Sequence, residues 1–227
     1  MKVKFLGHSA VLIEDKDFKC IIDPYLSQNQ SYIENPSDIE GITHILITHG
    51  HGDHIGDCES IALKNNSLII SNIEIVSYLK AKNKSFKVHP LQIGGSYQFD
   101  FGTVKMTPAL HGSAINHNGE LIYGGLAGGF LIERNGMKIY HAGDTGLSME
   151  MKLLEYDNID LAFLPIGGNY TMDITDAVRA VHFIKPKQVI PIHYHSRGLI
   201  QADPEEFKRK LPEYKVTILK NSEYIEL

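Results

Sequence analysis

A histidine-rich loop that follows an apolar strand restricts the fold of this chain more than any other segment. Residues 44–48 predict a short buried strand, and the residues after it are His49, Gly50, His51, Gly52, Asp53 and His54. Imidazole and carboxylate are ligands that zinc, manganese and iron accept in proteins. Glycine lets the backbone turn, so that neighbouring side chains can point in different directions. The segment therefore predicts a metal-binding loop at the end of a buried strand.

A single loop does not complete such a site, because a catalytic zinc ion takes about three protein ligands and keeps a position for water. Further side chains of suitable chemistry stand just after predicted strands, and these are His111, Asp144 and His193. Loops at strand ends commonly carry binding residues, so we expect these three to join the site. His195 lies two residues beyond His193 and is a rival ligand if the strand continues.

The order of predicted elements indicates the fold class. Period-2 runs bounded by turn residues predict strands at 2–6, 10–14, 19–23, 44–48, 68–71, 96–101 and 103–108. Asn135–Gly136 predicts a two-residue hairpin turn between strands 129–134 and 137–141. Helical spacing appears at 57–64, 72–82, 147–155, 173–184 and 203–211, with later strands at 160–166, 187–192 and 215–219. This order favours an α+β fold, a four-layer αββα sandwich in which helices flank two mixed β-sheets.

Composition narrows the class of protein. The chain has 227 residues, which predicts a single domain over residues 1–227. It carries 27 acidic and 22 basic residues, for a net charge of −5, and no long run of like charge. These features argue against nucleic acid or a membrane as a partner. The longest apolar stretch, 121–132, is too short to span a bilayer and no secretory signal is visible, so we expect a cytoplasmic protein.

The two cysteines do not build a disulfide framework. Cys20 and Cys58 are too few for one, and neither belongs to a Cys-x-x-Cys pair. We expect both to be small core residues.

The histidine motif and several short segments resemble one enzyme superfamily over nearly the whole chain. His49-x-His51-x-Asp53-His54 with the three downstream candidates resembles the metallo-β-lactamase superfamily. Four short segments are similar to the bacterial UPF0173 metal-dependent hydrolases of this superfamily: 7–9, 22–24, 142–146 and 167–172. That branch is also similar to the ascorbate-phosphate lactonases.

This resemblance implies a site with two divalent metal ions per chain. His49, His51 and His111 would hold the first ion, and Asp53, His54 and His193 would hold the second. Asp144 would bridge the two ions. Zinc is the first expectation for the metal, with manganese or iron as alternatives.

The implied chemistry is hydrolysis by a dinuclear metal-bound hydroxide. A small ester, lactone or phosphodiester would be the substrate, and Asp53 would orient the hydroxide and relay its proton. His8 and Tyr194 are catalytic candidates for stabilising developing charge, together with Asn169, and Arg197 is a candidate anchor for an anionic substrate group. For His8 a purely structural role is the alternative to a catalytic one. For Tyr194 the alternative is a side chain that only packs.

Two other functions are also compatible with the sequence. The chain can be interpreted as a nuclease or phosphodiesterase acting on RNA or nucleotides, although it lacks a basic face and tryptophan to stack bases. It can also be interpreted as a metal-binding protein with a catalytically idle site. We expect a small-molecule substrate as the partner, and we leave open a homo-oligomer. His141 is interpreted as a strand residue with a satisfied hydrogen bond.

Overall fold

Two seven-stranded mixed sheets form most of the regular structure in this computed structural model, which describes residues 1–30, 32, 34–36, 39–195 and 198–227. The sheets belong to two units of the chain. Unit 1 comprises Met1–Gln92, Gly112–Leu126 and Leu219–Leu227, and unit 2 comprises Ile93–His111 and Ala127–Ile218. The single domain expected over residues 1–227 stays a prediction.

The sheet of unit 1 has the strand order β16-β1-β2-β3-β4-β5-β6. Its strands are β1 (Lys2–Gly7), β2 (Ala10–Asp15), β3 (Phe18–Ile22), β4 (His44–Leu46), β5 (Leu68–Ser71), β6 (Lys87–Pro90) and β16 (Tyr224–Glu226). Strands β16, β1, β2 and β3 pair antiparallel, whereas β3, β4, β5 and β6 run parallel. Unit 1 also contains α1 (Gly52–Ile55), α2 (Cys58–Asn65), α3 (Ile73–Lys82) and a separate hairpin of β9 (Ile115–His117) and β10 (Glu120–Ile122).

The sheet of unit 2 has the strand order β15-β14-β13-β12-β11-β8-β7. Its strands are β7 (Ser96–Phe99), β8 (Gly102–Pro108), β11 (Gly128–Arg134), β12 (Met137–His141), β13 (Leu161–Pro165), β14 (Gln188–Ile192) and β15 (Lys215–Val216). Strands β7, β8, β11 and β12 pair antiparallel, and β12 to β15 run parallel. A 3-10 helix (Met149–Asp157), α4 (Ile174–Ile184) and α5 (Pro204–Arg209) complete this unit.

Each unit buries an apolar core that includes residues from its sheet and its helices. In unit 1, Ile45 and Ile69 of adjacent parallel strands belong to one buried cluster with Leu79 of α3. In unit 2, Leu164 of β13 belongs to a second cluster with Val181 of α4. Fully burying such a side chain contributes roughly 1.5–3 kcal/mol. The packed cores hold the sheets in place, and the loops that carry the candidate site residues leave from the ends of these strands.

The predicted fold class and most predicted elements are confirmed. Two mixed sheets with few helices form an α+β structure. Asn135 and Gly136 both have positive φ, of 52° and 77°, as the predicted hairpin turn requires. Asn72 caps α3, since its side chain accepts a hydrogen bond of 2.9 Å from the Ile75 amide. Both cysteines are buried, as expected.

Some predicted elements differ from the observed ones. The helix predicted at 147–155 is the 3-10 helix, and the last predicted strand shortens to β15. Strands β6, β9, β10 and β16 were not predicted, and their short or exposed segments carry little periodicity. Among the described residues, no helix is long and apolar enough to span a membrane.

Candidate metal centre

In unit 1 the histidine loop leaves the end of β4 and continues into α1. His49 is fully buried and His51 is half-buried. His49 Nε2 and His51 Nδ1 lie 3.1 Å apart. Two ligands of one tetrahedral zinc ion with bonds of about 2.0–2.1 Å stand about 3.3 Å apart. The separation therefore suits two imidazoles that share one ion.

A buried aspartate at the end of β3 orients two of these histidines. Asp23 has no exposed surface, and its Oδ2 accepts hydrogen bonds from Thr48 Oγ1 at 2.6 Å and His54 Nδ1 at 2.8 Å. Its Oδ1 accepts the Thr48 amide at 2.8 Å. Because His54 Nδ1 is the donor, Nε2 is the nitrogen left to act as a ligand.

Thr48 extends the same arrangement to His49. Thr48 Oγ1 lies 3.0 Å from His49 Nδ1, and its hydrogen points to Asp23, so the hydroxyl oxygen accepts from His49 Nδ1–H. His49 thus also presents Nε2 as its ligand atom. Neither Asp23 nor Thr48 has a role predicted from the sequence. The signal that points to Asp23 is a carboxylate directly after an apolar strand and before a proline.

The glycines of the loop have different structural roles. A Cβ at Gly50 would lie 2.5 Å from the Ser113 carbonyl oxygen, and the Gly50 amide donates to Ser113 Oγ at 3.0 Å. A Cβ at Gly52 would meet nothing within 4 Å. Of these two glycines, Gly50 is the one at which a side chain would collide with a neighbouring backbone segment. The prediction that both glycines allow the chain to turn does not include this difference.

His8 and Asp53 form a pair next to His54 in unit 1. His8 Nε2 lies 3.2 Å from Asp53 Oδ2, and His8 is 5% exposed whereas the Asp53 side chain is 42% exposed. The ring centroids of His8 and His54 are 5.5 Å apart. His8 and Asp23 both adopt the left-handed backbone conformation, with φ of 54° and 47°. The structure thus brings the predicted catalytic residue His8 together with two predicted ligands.

In unit 2, one carboxylate lies beside two histidines. Asp144 is almost fully buried, and its Oδ2 lies 3.0 Å from His193 Nε2 and 3.7 Å from His111 Nε2. The three residues follow β12, β14 and β8, as the strand-end argument predicts. His193 has a φ of 55°. A single oxygen atom is therefore within reach of two imidazoles.

The remaining candidates lie around these two groups. Tyr194 packs against the apolar core of unit 2, so its catalytic role stays a prediction. Asn169 and His195 are exposed. Arg197 lies outside the described residues. His141 is fully buried and its Nδ1 accepts a hydrogen bond from the Gly143 amide, which confirms its interpretation as a hydrogen-bonded strand residue.

The chemistry of these donors fits a divalent metal ion. Each unit offers imidazole nitrogen and carboxylate oxygen at close separations, a set that zinc, manganese and iron accept. Burial raises the pKa of the Cys20 and Cys58 thiols, so both stay protonated and are poor ligands. The donor set is thus one of nitrogen and oxygen.

Comparisons with known proteins give consistent results. A family model described as a beta-lactamase superfamily domain matches residues 19–194. The chain is 52% identical over 220 residues to a UPF0173 metal-dependent hydrolase of Alkaliphilus metalliredigens, with 96% of each chain covered. It is 46% identical over 230 residues to a UPF0173 metal-dependent hydrolase of Bacillus subtilis, with both chains fully covered. The solved structure of Igni18, a metallo hydrolase of Ignicoccus hospitalis, is similar with a TM-score of 0.90 and 33% identity, covering 100% of this chain and 98% of that chain.

Proposed function

Because the chain belongs to the beta-lactamase superfamily, and within it to the UPF0173 metal-dependent hydrolases, we propose that this metal-dependent hydrolase uses two divalent ions to cleave a small ester, lactone or phosphodiester. The observation that carries the proposal is the position of Asp144. Its Oδ2 lies within 3.7 Å of both His111 Nε2 and His193 Nε2. With one carboxylate oxygen this close to two imidazoles, Asp144 would be a ligand shared by the two ions, and His111 and His193 would each hold one of them.

We assign the ligands in two sets that share the Asp144 carboxylate. His49, His51 and His111 would hold the first ion. Asp53, His54 and His193 would hold the second. The hydrogen bonds from His54 Nδ1 to Asp23 and from His49 Nδ1 to Thr48 support this assignment, because each leaves Nε2 as the ligand atom.

When bound, the two ions supply Lewis acidity and lower the pKa of a water molecule toward neutrality. The Asp53 carboxylate, beside His8 and in contact with solvent, would accept a proton from the attacking water and pass it to solvent. His8 holds the Asp53 carboxylate in place through the 3.2 Å contact to Oδ2. Asp144 is buried, and its Oδ2 lies close to one nitrogen of His111 and one of His193.

A small molecule suits the chain better than a nucleic acid. The net charge is −5 and tryptophan is absent. Proteins that bind nucleic acid without reading its sequence use a basic groove and aromatic side chains on which bases stack. Zinc is the metal we propose first, since imidazole and carboxylate are ordinary zinc ligands.

The test is metal removal and reconstitution. Protein stripped with a chelator is loaded separately with zinc, manganese or ferrous iron, and both the ions bound per chain and the hydrolysis of generic phosphodiesters, lactones and esters are measured. We expect two ions per chain and hydrolysis that disappears on stripping and returns on loading. A variant at His117, an exposed histidine outside the proposed set, serves as the control and should behave as the wild type. Binding of one ion at saturation, or hydrolysis that survives stripping, would contradict the proposal.

A further inference from the structure

His141 is a buried histidine for which the proposed hydrolysis has no use. It ends β12 and has no exposed surface. Its neighbours across the sheet are Phe130 on β11 and Phe163 on β13, and its ring centroid lies 5.8 Å from that of Phe163. A polar ring in such apolar surroundings is stable only when its nitrogen atoms are hydrogen-bonded.

One hydrogen bond of His141 closes a turn in its own backbone. Nδ1 accepts from the Gly143 amide at 3.1 Å, so the proton of the neutral ring lies on Nε2. The bond joins a side chain to the amide two residues further on, as in the turns that asparagine and aspartate form. Gly143 has a φ of 64° within this turn.

The residue that follows the turn is Asp144. On its other side the backbone is fixed by Thr145, whose Oγ1 accepts from the Leu110 amide at 3.0 Å and whose carbonyl accepts from the Met172 amide at 2.9 Å. Asp144 thus lies between two anchored points. The first of these anchors is the bond made by His141.

We propose that His141 is a positioning residue that holds the Asp144 carboxylate close to His111 and His193. The inference rests on the proposed function, since that function makes Asp144 the bridging ligand. Gly143 populates left- and right-handed conformations with similar ease. Without the acceptor on residue 141, the turn loses its constraint and Asp144 loses its fixed direction. Removing a group that orients a metal ligand typically weakens metal binding by about 10- to 100-fold.

Three variants separate the hydrogen bond from packing. His141→Phe keeps a ring of similar size and removes the acceptor. His141→Asn keeps an acceptor, because Asn Oδ1 stands at the same number of bonds from Cβ as His Nδ1. Phe163→Leu removes the ring next to His141 and leaves the acceptor in place, so it controls for loss of packing.

Two measurements are made on each variant. Hydrogen exchange of the Gly143 amide in chelator-stripped protein reports the turn, and competition with a chromophoric chelator reports metal affinity. In His141→Phe we expect the Gly143 amide to exchange at least about tenfold faster and one ion to bind about 10- to 100-fold more weakly. His141→Asn and Phe163→Leu should keep both properties within about threefold of the wild type.

The outcomes distinguish this inference from the proposed function. Wild-type exchange and affinity in His141→Phe would overturn it, and so would a folded His141→Asn as defective as His141→Phe. A third outcome separates the two. If the Gly143 amide exchanges faster only in the variant that lacks an acceptor at position 141, but the wild type binds fewer than two ions, the inference about the turn stands and the dinuclear proposal fails.

Discussion

Asp23 sets the direction of two ligand side chains, and its effect can be measured separately from the ligands. In Asp23→Asn the size and the left-handed backbone are retained, since asparagine tolerates positive φ. In the wild type, Asp23 Oδ2 accepts from Thr48 Oγ1 and His54 Nδ1, and Oδ1 accepts from the Thr48 amide. Asparagine has only one side-chain oxygen, so whichever way its amide group is turned, the NH2 group faces a donor. We expect a folded protein with metal affinity lowered by about 10- to 100-fold, measured by chelator competition.

The control for this variant is Asp57→Asn. Asp57 also accepts backbone hydrogen bonds in unit 1, from the Leu26 and Ser27 amides at 2.8 Å, but it touches no proposed ligand in the contacts described above. Its metal affinity should match the wild type. Equal affinities for all three proteins would show that Asp23 does not orient the ligands.

Asp144→Ala should remove one ion and most of the activity while the protein remains folded. A domain of this size owes its stability chiefly to its apolar core, and Asp144 contributes little apolar surface. Metal analysis should give close to one ion per chain, and circular dichroism should match the wild type. Asp100→Ala, at an exposed acidic residue of unit 2, should keep both ions. Two ions and full turnover in Asp144→Ala would assign the bridging role to another residue.

The loop between β4 and α1 offers a matched pair of glycine substitutions. In Gly50→Ala the new Cβ would lie 2.5 Å from the Ser113 carbonyl oxygen, so the loop or the opposing segment must shift. We expect a loss of about 1–3 kcal/mol in the free energy of unfolding, together with weaker metal binding. Gly52→Ala meets open space and should change neither quantity. Urea denaturation and metal titration of both variants test this, and equal behaviour would contradict the steric argument.

Local sequence patterns predicted the strands that have strong alternation or continuous burial. β5 was predicted with its observed bounds, and β13 and β14 within one residue at either end. The pattern failed where the structure depends on distant partners. β16 pairs with β1 from the opposite end of the chain, and the three-residue strands of the β9–β10 hairpin are mostly exposed. Such pairings leave no periodic signal in a short segment.

The site-residue assignment stays a prediction, but part of its geometry can be compared with the structure. Residue type and position after a strand identified the candidates, and the structure places Asp144, His111 and His193 together within unit 2. The roles of Asp23 and His141 were not predicted. Both act through hydrogen bonds whose geometry depends on the strand ends, which sequence spacing does not specify.

The two sheets share one arrangement of strand directions. Each is antiparallel on one side and parallel on the other. In unit 1, Asp23 follows β3 and His49 follows β4. In unit 2, Asp144 follows β12 and His193 follows β14. The carboxyl ends of parallel strands are a common place for ligand sites in α/β sheets. The topology therefore places candidate ligands at the carboxyl ends of parallel strands in both units.

Acid should weaken the metal-loaded protein more than the stripped one. Ligand histidines must be neutral, and their reference pKa is about 6.5, so protons compete with metal as pH falls. Bound metal stabilises the native state by mass action. The difference in melting temperature between loaded and stripped protein should therefore narrow below roughly pH 6. A difference that stays constant down to about pH 5 would show that histidines do not dominate the site.

The stripped protein should retain a smaller acid sensitivity from His44. Burial lowers the pKa of His44 from 6.5 to about 4, so between these values the unfolded chain binds a proton that the folded chain does not. The free energy of unfolding therefore falls as pH decreases across this interval. His44 is only partly buried, so solvent reduces the effect.

Urea denaturation of stripped protein at pH 7 and pH 5 tests this. His44→Gln should lose less stability between the two pH values than the wild type. His182→Gln, at an exposed histidine of α4, should lose as much as the wild type. Identical losses in all three proteins would exclude a contribution from His44.

His8, Asp23 and His193 adopt the left-handed backbone conformation, as do other residues of the chain such as Lys16 and Lys185. Such a conformation costs a side chain with a Cβ roughly 1–2 kcal/mol, and glycine would adopt it without that cost. Glycine at these positions would avoid that backbone cost, but it would also remove the imidazole or carboxylate groups described at the candidate metal centre. Natural proteins commonly exchange some stability for activity in this way. Engineering that raises the thermostability of this hydrolase should leave these three positions unchanged and seek its gains elsewhere in the two units.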